Sequence, residues 1–115
     1  MKTLEQKRAE FAWKKVKGES EKYKNLVKSL PAMIMTNGLM QTLAFLEGKK
    51  EEHHKDALLH ISEWLKEQDI VKSTNFSEVM EHLYKSSSQD YQRATEEALA
   101  ILLWLRRLAD AAIKS

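Results

Sequence analysis

The segment from Leu30 to Phe45, LPAMIMTNGLMQTLAF, contains no charged residue, although 31% of the residues in the chain are charged. At 100° per residue, its apolar side chains fall on more than one side of a helix. A helix that is apolar on several sides is normally surrounded by other helices, and a proline suits its first turn. We therefore predict a central helix that runs from Pro31 to Glu47 within a helical bundle.

Two amides and a glycine lie in the middle of this apolar segment. Asn37 and Gln41 are one helical turn apart, and a buried amide without a hydrogen-bond partner costs about 1–3 kcal/mol. Two interpretations are open. The amides bond to a neighbouring helix and fix its register, or they lie at a surface where a partner supplies the missing bonds. Gly38 would let another helix backbone approach closely.

Composition indicates that the rest of the chain is helical as well. Lys, Glu, Leu and Ala are abundant, whereas the 115 residues include only one proline and three glycines, which leaves few turn residues for a sheet. The length fits a single domain over residues 1–115. We predict an all-α fold, a compact bundle of about six helices with a central apolar helix. Caps and breaks predict helix starts near Thr3, Ser20, Pro31, Glu51, Asn75 and Gln89.

Composition also excludes several classes of protein. The absence of cysteine excludes disulfides, thiolate zinc sites and cysteine nucleophiles. No apolar run approaches the ~20 residues that span a bilayer, and the start, MKTLEQKRAEF, lacks the apolar core of a signal peptide. We therefore expect a cytoplasmic protein with no membrane partner. The net charge of +2 is too small to predict nucleic-acid binding, so such contacts would need local clusters of cations.

The sequence has no recognisable catalytic pattern. Catalysis needs a nucleophile with an adjacent base, or a pair of carboxylates, poised in a pocket. We expect no enzyme activity, no cofactor and no small-molecule substrate. His53, Asp56 and His60 share one helical face at a spacing that metal ligands use. Because Lys50 and Glu63 lie nearby, as at an ordinary solvated helix border, we predict no metal site.

Cations are better placed on the first helix. Lys7 and Arg8 recur seven residues later as Lys14 and Lys15, which aligns their positive charges along the helix. Phosphates are bound by flexible cations with little demand on geometry, so this face is a candidate for contact with nucleic acid. The alternative is a solvated face on which Glu10 pairs with Lys14 one turn away.

The last helix presents a second unusual surface. If its apolar seam faces the core, then Arg93, Ala100, Trp104 and Arg107 form a stripe on the opposite side. An outward Trp beside arginines predicts a protein anchor or a platform for RNA, because Trp and Arg dominate interface hot spots and aromatic rings stack on bases. The alternative is that another helix of the bundle covers Trp104. Arg106 points away from this stripe.

Several strings in the chain resemble one protein family. They are QKRA at residues 6–9, Tyr23, LPAMIMTNGLMQTLAFLEGK at 30–49, the pair Trp64 and Leu65, and YQRATEEALAILLWLRRLA at 91–109. Together they resemble the small helical subunit of type III-B CRISPR effector complexes, the Cmr complexes. The resemblance runs over nearly the whole chain. It is weakest between residues 50 and 88, so no role is carried over to the histidines.

The resemblance implies a compact helical protein without catalytic activity that acts in antiviral defence. It implies more than one copy per assembly, stacked along a filament of larger backbone subunits. In such complexes the small subunits lie beside the duplex of guide RNA and target RNA, and target cleavage belongs to the backbone subunits. The implied partners are therefore other Cmr subunits, copies of this chain and the guide–target duplex.

We hypothesise a noncatalytic subunit whose cationic faces contact sibling subunits and the RNA backbone without reading sequence. One alternative is a helical adaptor that binds only protein, with Trp104 as its anchor. Another is a helix-turn-helix DNA-binding regulator, for which the central helix is too apolar. Lys49 and Lys50 suit a helix dipole and are also candidates for phosphate contact. The candidate nucleic-acid-binding residues are Lys7, Arg8, Lys14, Lys15, Lys49, Lys50, Arg93, Arg106 and Arg107, and the candidate partner interface comprises Trp104, Ala100, Asn37 and Gln41.

Overall fold

A computed structural model describes residues 1–114, so Ser115, the last residue of the predicted domain, lies outside it. Within that range the chain forms six α-helices and no β-strand. The predicted all-α bundle is confirmed, and no helix in the described range is long and apolar enough to cross a membrane. The helices are α1 (Leu4–Val16), α2 (Glu21–Asn37), α3 (Leu39–Gly48), α4 (Glu52–Glu67), α5 (Phe76–Lys85) and α6 (Ser88–Ala112).

The helix starts follow from local capping. Thr3 accepts a hydrogen bond from the Gln6 backbone N–H at 3.1 Å, and the Gln6 side chain accepts one from the Thr3 N–H at 2.8 Å. Ser20, Asn75 and Ser87 each accept from the backbone N–H three residues later. Each bond satisfies one of the N–H groups that a helix start leaves without a partner. The capping box predicted at Thr3 is confirmed.

The predicted break at Pro31 is wrong. Helix α2 continues through Pro31 to Asn37, and the chain breaks at Gly38 instead. An interior proline removes one helical hydrogen bond. Val27, Leu30 and Ile34 nevertheless lie buried on one face of α2 around it, and this tertiary packing outweighs the local penalty. The helix predicted from Pro31 to Glu47 is therefore two helices.

Gly38 forms the junction between α2 and α3. Its φ of 90° and ψ of 164° lie in a region that is essentially restricted to glycine. Its N–H donates to the Ile34 carbonyl at 2.7 Å, and its carbonyl accepts from the Thr42 hydroxyl at 2.9 Å. The Tyr91 hydroxyl of α6 accepts from the Met40 N–H at 3.1 Å. A side chain of α6 thus takes the place of the missing cap at the start of α3.

The amides of the apolar segment are exposed. Asn37 and Gln41 both face solvent, so the interpretation that they fix the register of a buried helix is wrong. Met35 is 77% exposed beside the same junction. The opposite face of α3 is buried, with Leu39, Leu43 and Leu46 in the core. The segment therefore has one face in the core and one face open to solvent.

Helix α6 supplies the seam on which α1, α2 and α4 pack. Alanines at three of its buried positions allow close approach of the neighbouring helices. Helix α2 runs antiparallel to α6. Lys24 near its start bonds the Ile113 carbonyl and Lys28 lies 3.0 Å from Asp110, at the end of α6, whereas Met40, just after α2, bonds Tyr91 near the start of α6. The buried residues of α6 are Ala94, Ala98, Ile101, Leu102, Leu105 and Ala109.

Replacing Gly38 with alanine should destabilise the fold by about 1–3 kcal/mol, because an alanine resists its backbone conformation. The new Cβ would lie 3.7 Å from the Tyr91 hydroxyl, an ordinary contact, so the cost is conformational. Urea unfolding of Gly38→Ala measures it. The matched control is Gly48→Ala, at an open helical position, where stability should stay equal or rise by up to about 1 kcal/mol. Equal effects of the two substitutions would contradict the assignment.

Candidate nucleic-acid and partner interface

Three of the predicted cations of α1 meet in one groove. Lys7, Lys14 and Lys15 line a cleft of about 400 Å³ formed by residues of α1 and the end of α4, together with Phe11 and Trp64. We call this cleft the α1–α4 groove. Two glutamates also border it, so its charge is only partly positive. Lys7 and Lys14, seven residues apart, thus line one cleft, and their contact with nucleic acid stays a prediction.

The lysines of the groove differ in how strongly they are held. Lys7 is exposed and has no ion-pair partner among residues 1–114. Lys14 lies 3.3 Å from Glu10 one turn earlier, in an exposed pair. Lys15 lies 3.1 Å from Glu63 on α4, and its ammonium sits 5.3 Å from the centre of the Phe11 ring. The Lys14–Glu10 pair is exposed and therefore weak. Lys7 and Lys14 are thus both available to an external anion.

Arg93 of α6 lines a neighbouring cleft with residues of α5 and contacts one residue of the α1–α4 groove. Its guanidinium donates to the Gln68 carbonyl at 3.1 Å and is otherwise exposed, and Gln68 lines the groove. Arg93 is therefore joined to the groove only through Gln68.

Arg8 is engaged inside the protein. Its guanidinium binds the Glu97 carboxylate with two contacts of 2.6 and 3.3 Å, and the Trp64 indole N–H donates to the same carboxylate at 2.9 Å. Burial alone would raise the pKa of Glu97, but the hydrogen bonds from Arg8 and Trp64 outweigh it and lower that pKa. This network joins α1, α4 and α6. Arg8, a candidate nucleic-acid-binding residue, is therefore held by Glu97 and is less available to an external anion than Lys7 or Lys14.

The carboxyl-terminal half of α6 carries the second predicted surface. Arg106 and Arg107 are exposed, whereas Trp104 is half-buried and packs against the core. Leu103, which no sequence pattern singled out, is 57% exposed. Leu103, Trp104 and Arg107 line a shallow pocket of about 190 Å³, and Ala100 is half-buried. Trp104 is thus partly covered by the bundle and partly open.

The remaining predicted residues lie near the Gly38 junction and the end of α3. Lys49 and Lys50 are exposed directly after α3, and the Lys49 ammonium lies 5.2 Å from the centre of the Phe45 ring. Asn37 and Gln41 are exposed on either side of Gly38. None of these four residues lines the α1–α4 groove.

Sequence reasoning missed a buried polar cluster. The Tyr23 hydroxyl lies 2.7 Å from His60 Nδ1, and His60 Nε2 lies 4.0 Å from a Glu19 oxygen. Burial, together with a hydrogen bond and repulsion from Asp56, raises the pKa of Glu19 from 4.5 to about 8. Burial likewise lowers the pKa of His60 and raises that of Tyr23. No sequence spacing reveals this cluster, because its members come from α2, α4 and the turn before α2.

The three residues weighed as metal ligands from sequence do not form one group. Asp56 and His60 belong to the buried cluster, whereas His53 lies with Glu51 and His54 at the start of α4. The three residues do not share one exposed face of α4 as predicted, because the His60 side chain points inward to Tyr23.

Comparisons with known proteins define the class of the chain. The family described as CRISPR-associated protein (Cas_Cmr5) matches residues 4–112. The CRISPR system Cmr subunit Cmr5 of Thermus thermophilus is 31% identical over 119 residues, which cover 99% of each protein. The crystal structure of a CRISPR-associated Cmr5 family protein from the same organism aligns with a TM-score of 0.83 and 30% identity, over 99% of this chain and 100% of that one. The matching family, the relative and the solved structure are all described as CRISPR-associated or as part of a CRISPR system.

Within that class, the chain belongs to the Cmr5 family. The family resemblance inferred from the sequence strings is therefore confirmed, together with the helical fold that it implied.

The internal ion pair predicts a contrast between two cations of α1. Arg8→Ala should lower the free energy of unfolding by about 1.5–3 kcal/mol, because it leaves the mostly buried Glu97 carboxylate without its ion-pair partner. Lys14→Ala on the same helix should change it little, because its pair with Glu10 is exposed. Chemical unfolding at neutral pH tests both variants. A loss for Lys14→Ala as large as that for Arg8→Ala would refute the distinction.

The buried cluster predicts a pH-dependent stability. With a pKa of about 8 in the folded state, Glu19 holds its proton more tightly when folded than when unfolded. The contribution of Glu19 to the free energy of unfolding is fully present below its pKa in the unfolded chain. This contribution is lost as the pH rises through its pKa in the folded protein. Glu19→Gln mimics the protonated form, so its stability relative to the wild type should increase steadily between about pH 5 and pH 9.

The control for this pH dependence is Glu21→Gln, an exposed position in the first turn of α2. Its stability relative to the wild type should stay constant over the same range in thermal unfolding. A constant difference for Glu19→Gln as well would show that Glu19 ionises normally in the folded protein.

Proposed function

We propose that this chain is a noncatalytic small subunit of a type III-B CRISPR effector complex in the cytoplasm. In this proposal, copies of the chain stack along the backbone subunits and line the path of the guide RNA–target RNA duplex. The observation that carries the proposal is the family match over residues 4–112, since the Thermus relative is a subunit of a Cmr system.

The α1–α4 groove is the proposed contact with RNA phosphates. Lys7 and Lys14 are exposed there, and Arg93, exposed and bonded to the Gln68 carbonyl, is the proposed third cation. Such cations bind the sugar–phosphate backbone and carry no sequence information, which suits a protein whose target is chosen by a guide. A groove bordered by glutamates binds RNA weakly on its own, so several stacked copies would supply the needed affinity by avidity.

The exposed apolar residues are the proposed contacts with other subunits and with copies of this chain. Leu103 and Trp104 combine an open aliphatic side chain with an aromatic ring beside Arg107, and Trp and Arg are typical of interface hot spots. The exposed amides Asn37 and Gln41 offer hydrogen bonds at the α2–α3 junction, where a partner backbone or side chain could pair with them.

The absence of catalysis is supported by where the reactive side chains lie. Tyr23 has no exposed surface and His60 is 7% exposed, so a substrate would not reach the pair that these two side chains form. The hydroxyl of Tyr23 and the ring of His60 satisfy each other. Perturbed pKa values also arise in purely structural networks, and this cluster fits that explanation.

The proposal predicts that Lys7→Ala, Lys14→Ala and Arg93→Ala together weaken the binding of target RNA by a reconstituted complex. Each lost phosphate contact should reduce the slope of log affinity against log salt by roughly one unit. Titrations of labelled target RNA at several salt concentrations measure both quantities, and size-exclusion chromatography checks that the complex still assembles.

The matched control removes three other exposed cations, Lys55, Lys72 and Lys85, none of which lines the α1–α4 groove. It should leave both the affinity and the salt slope unchanged. Unchanged RNA binding by the groove variant in an intact complex would defeat the proposed RNA contact. That result would favour an adaptor that binds only protein, an alternative to which the exposed Leu103 points.

A further inference from the structure

Three side chains at the start of α4 converge without a role in the surfaces described so far. Glu51 is the N-cap residue of α4, and His53 and His54 follow it in the first turn. Each offers one ligand atom, and these atoms all lie within 4.8 Å of one another. The two imidazole rings lie 4.2 Å apart between centres, and His54 Nδ1 lies 3.9 Å from a Glu51 oxygen.

His54 is the residue that needs an explanation. Its side chain is only 10% exposed, and its Nδ1 atom has no hydrogen-bond partner among residues 1–114. A buried polar atom left without a partner costs about 1–3 kcal/mol, and such atoms in native proteins usually have a ligand, a water or an ion nearby. An edge contact with Phe45, at 5.9 Å between ring centres, holds the ring while Nδ1 lies near Glu51.

We propose that Glu51, His53 and His54 form a binding site for a divalent cation that prefers nitrogen and oxygen ligands, such as Zn²⁺. Tetrahedral zinc binds imidazole nitrogen and carboxylate oxygen at about 2.0–2.2 Å, so its ligand atoms lie about 3.3 Å apart. The ligand atoms now lie within 4.8 Å of one another, and rotation of the exposed Glu51 and half-exposed His53 side chains would bring them closer. Three protein ligands leave a fourth position open to water.

The surroundings limit the affinity of this site. The Lys22 ammonium lies 4.0 Å from Glu51, Lys49 is close enough to affect His54, and the start of a helix carries partial positive charge. Each disfavours a cation. Burial, in turn, favours the neutral imidazole that binds metal, because it lowers the pKa of His54. We therefore expect a single site, weaker than a closed site with four protein ligands.

Isothermal titration of the full chain with ZnCl₂ at neutral pH tests the site. The wild type should bind one Zn²⁺ per chain. His54→Phe keeps an aromatic ring against Phe45 but removes the ligand nitrogen, so it should weaken binding about tenfold or more, as should His53→Ala. The control is His82→Ala, an exposed histidine on α5, which should bind Zn²⁺ as the wild type does.

A second measurement separates this site from adventitious binding to surface histidines. In NMR spectra of the ring nitrogens, Zn²⁺ should shift the resonances of His53 and His54 together at one equivalent, without affecting His82. Equal shifts at His82, equal losses for His82→Ala and His54→Phe, or no saturable binding would each overturn the proposal. The result is independent of the proposed RNA contact, which uses other residues.

Discussion

The turn at Gly38 is the constraint on which the arrangement of the bundle depends. It ends α2 near the start of α6, so that α2 packs antiparallel to α6, with Lys28 at Asp110 and Met40, just after the turn, at Tyr91. It then redirects the chain so that the leucines of α3 enter the core. A residue with a Cβ at this point would resist the required backbone conformation. One glycine thus lets a continuous apolar segment serve two differently oriented helices.

Much of the fold could be predicted from the sequence because local signals and global packing agree. Thr3, Ser20 and Asn75 start helices as their side chains predict, and Ala94, Ala98 and Ile101 are buried as their spacing predicts. The prediction failed where two local signals compete. Proline is a strong helix breaker and glycine a weaker one, yet packing on both sides of the proline holds α2 together, while the backbone at Gly38 turns. Only tertiary contacts decide between them.

The candidate surfaces were less predictable, because charge alone does not tell which cations are engaged. Lys7 and Arg8 are adjacent in the sequence but differ in their surroundings in the fold. The first is open to solvent, and the second binds Glu97, which lies 89 positions further along the chain. Likewise, helical spacing grouped His60 with His53, whereas the partner of His60 is Tyr23 from another helix. Pairings between distant residues leave no periodic trace in the sequence. Asn37 and Gln41 are exposed because the chain turns at Gly38. Since the sequence did not predict that turn, it did not decide whether the two amides are buried or exposed.

The Arg8–Glu97 pair also bears on how the α1–α4 groove would act as a receptor. Since Arg8 anchors the middle of α1 to α6, and Glu97 in turn holds the Trp64 indole, the walls of the groove are set before any ligand arrives. Binding then has to immobilise only the ends of a few lysine chains, at about 0.5–1.5 kcal/mol each, and no helix has to be repositioned. Such preorganisation lets a weakly charged surface retain a useful share of its intrinsic binding energy.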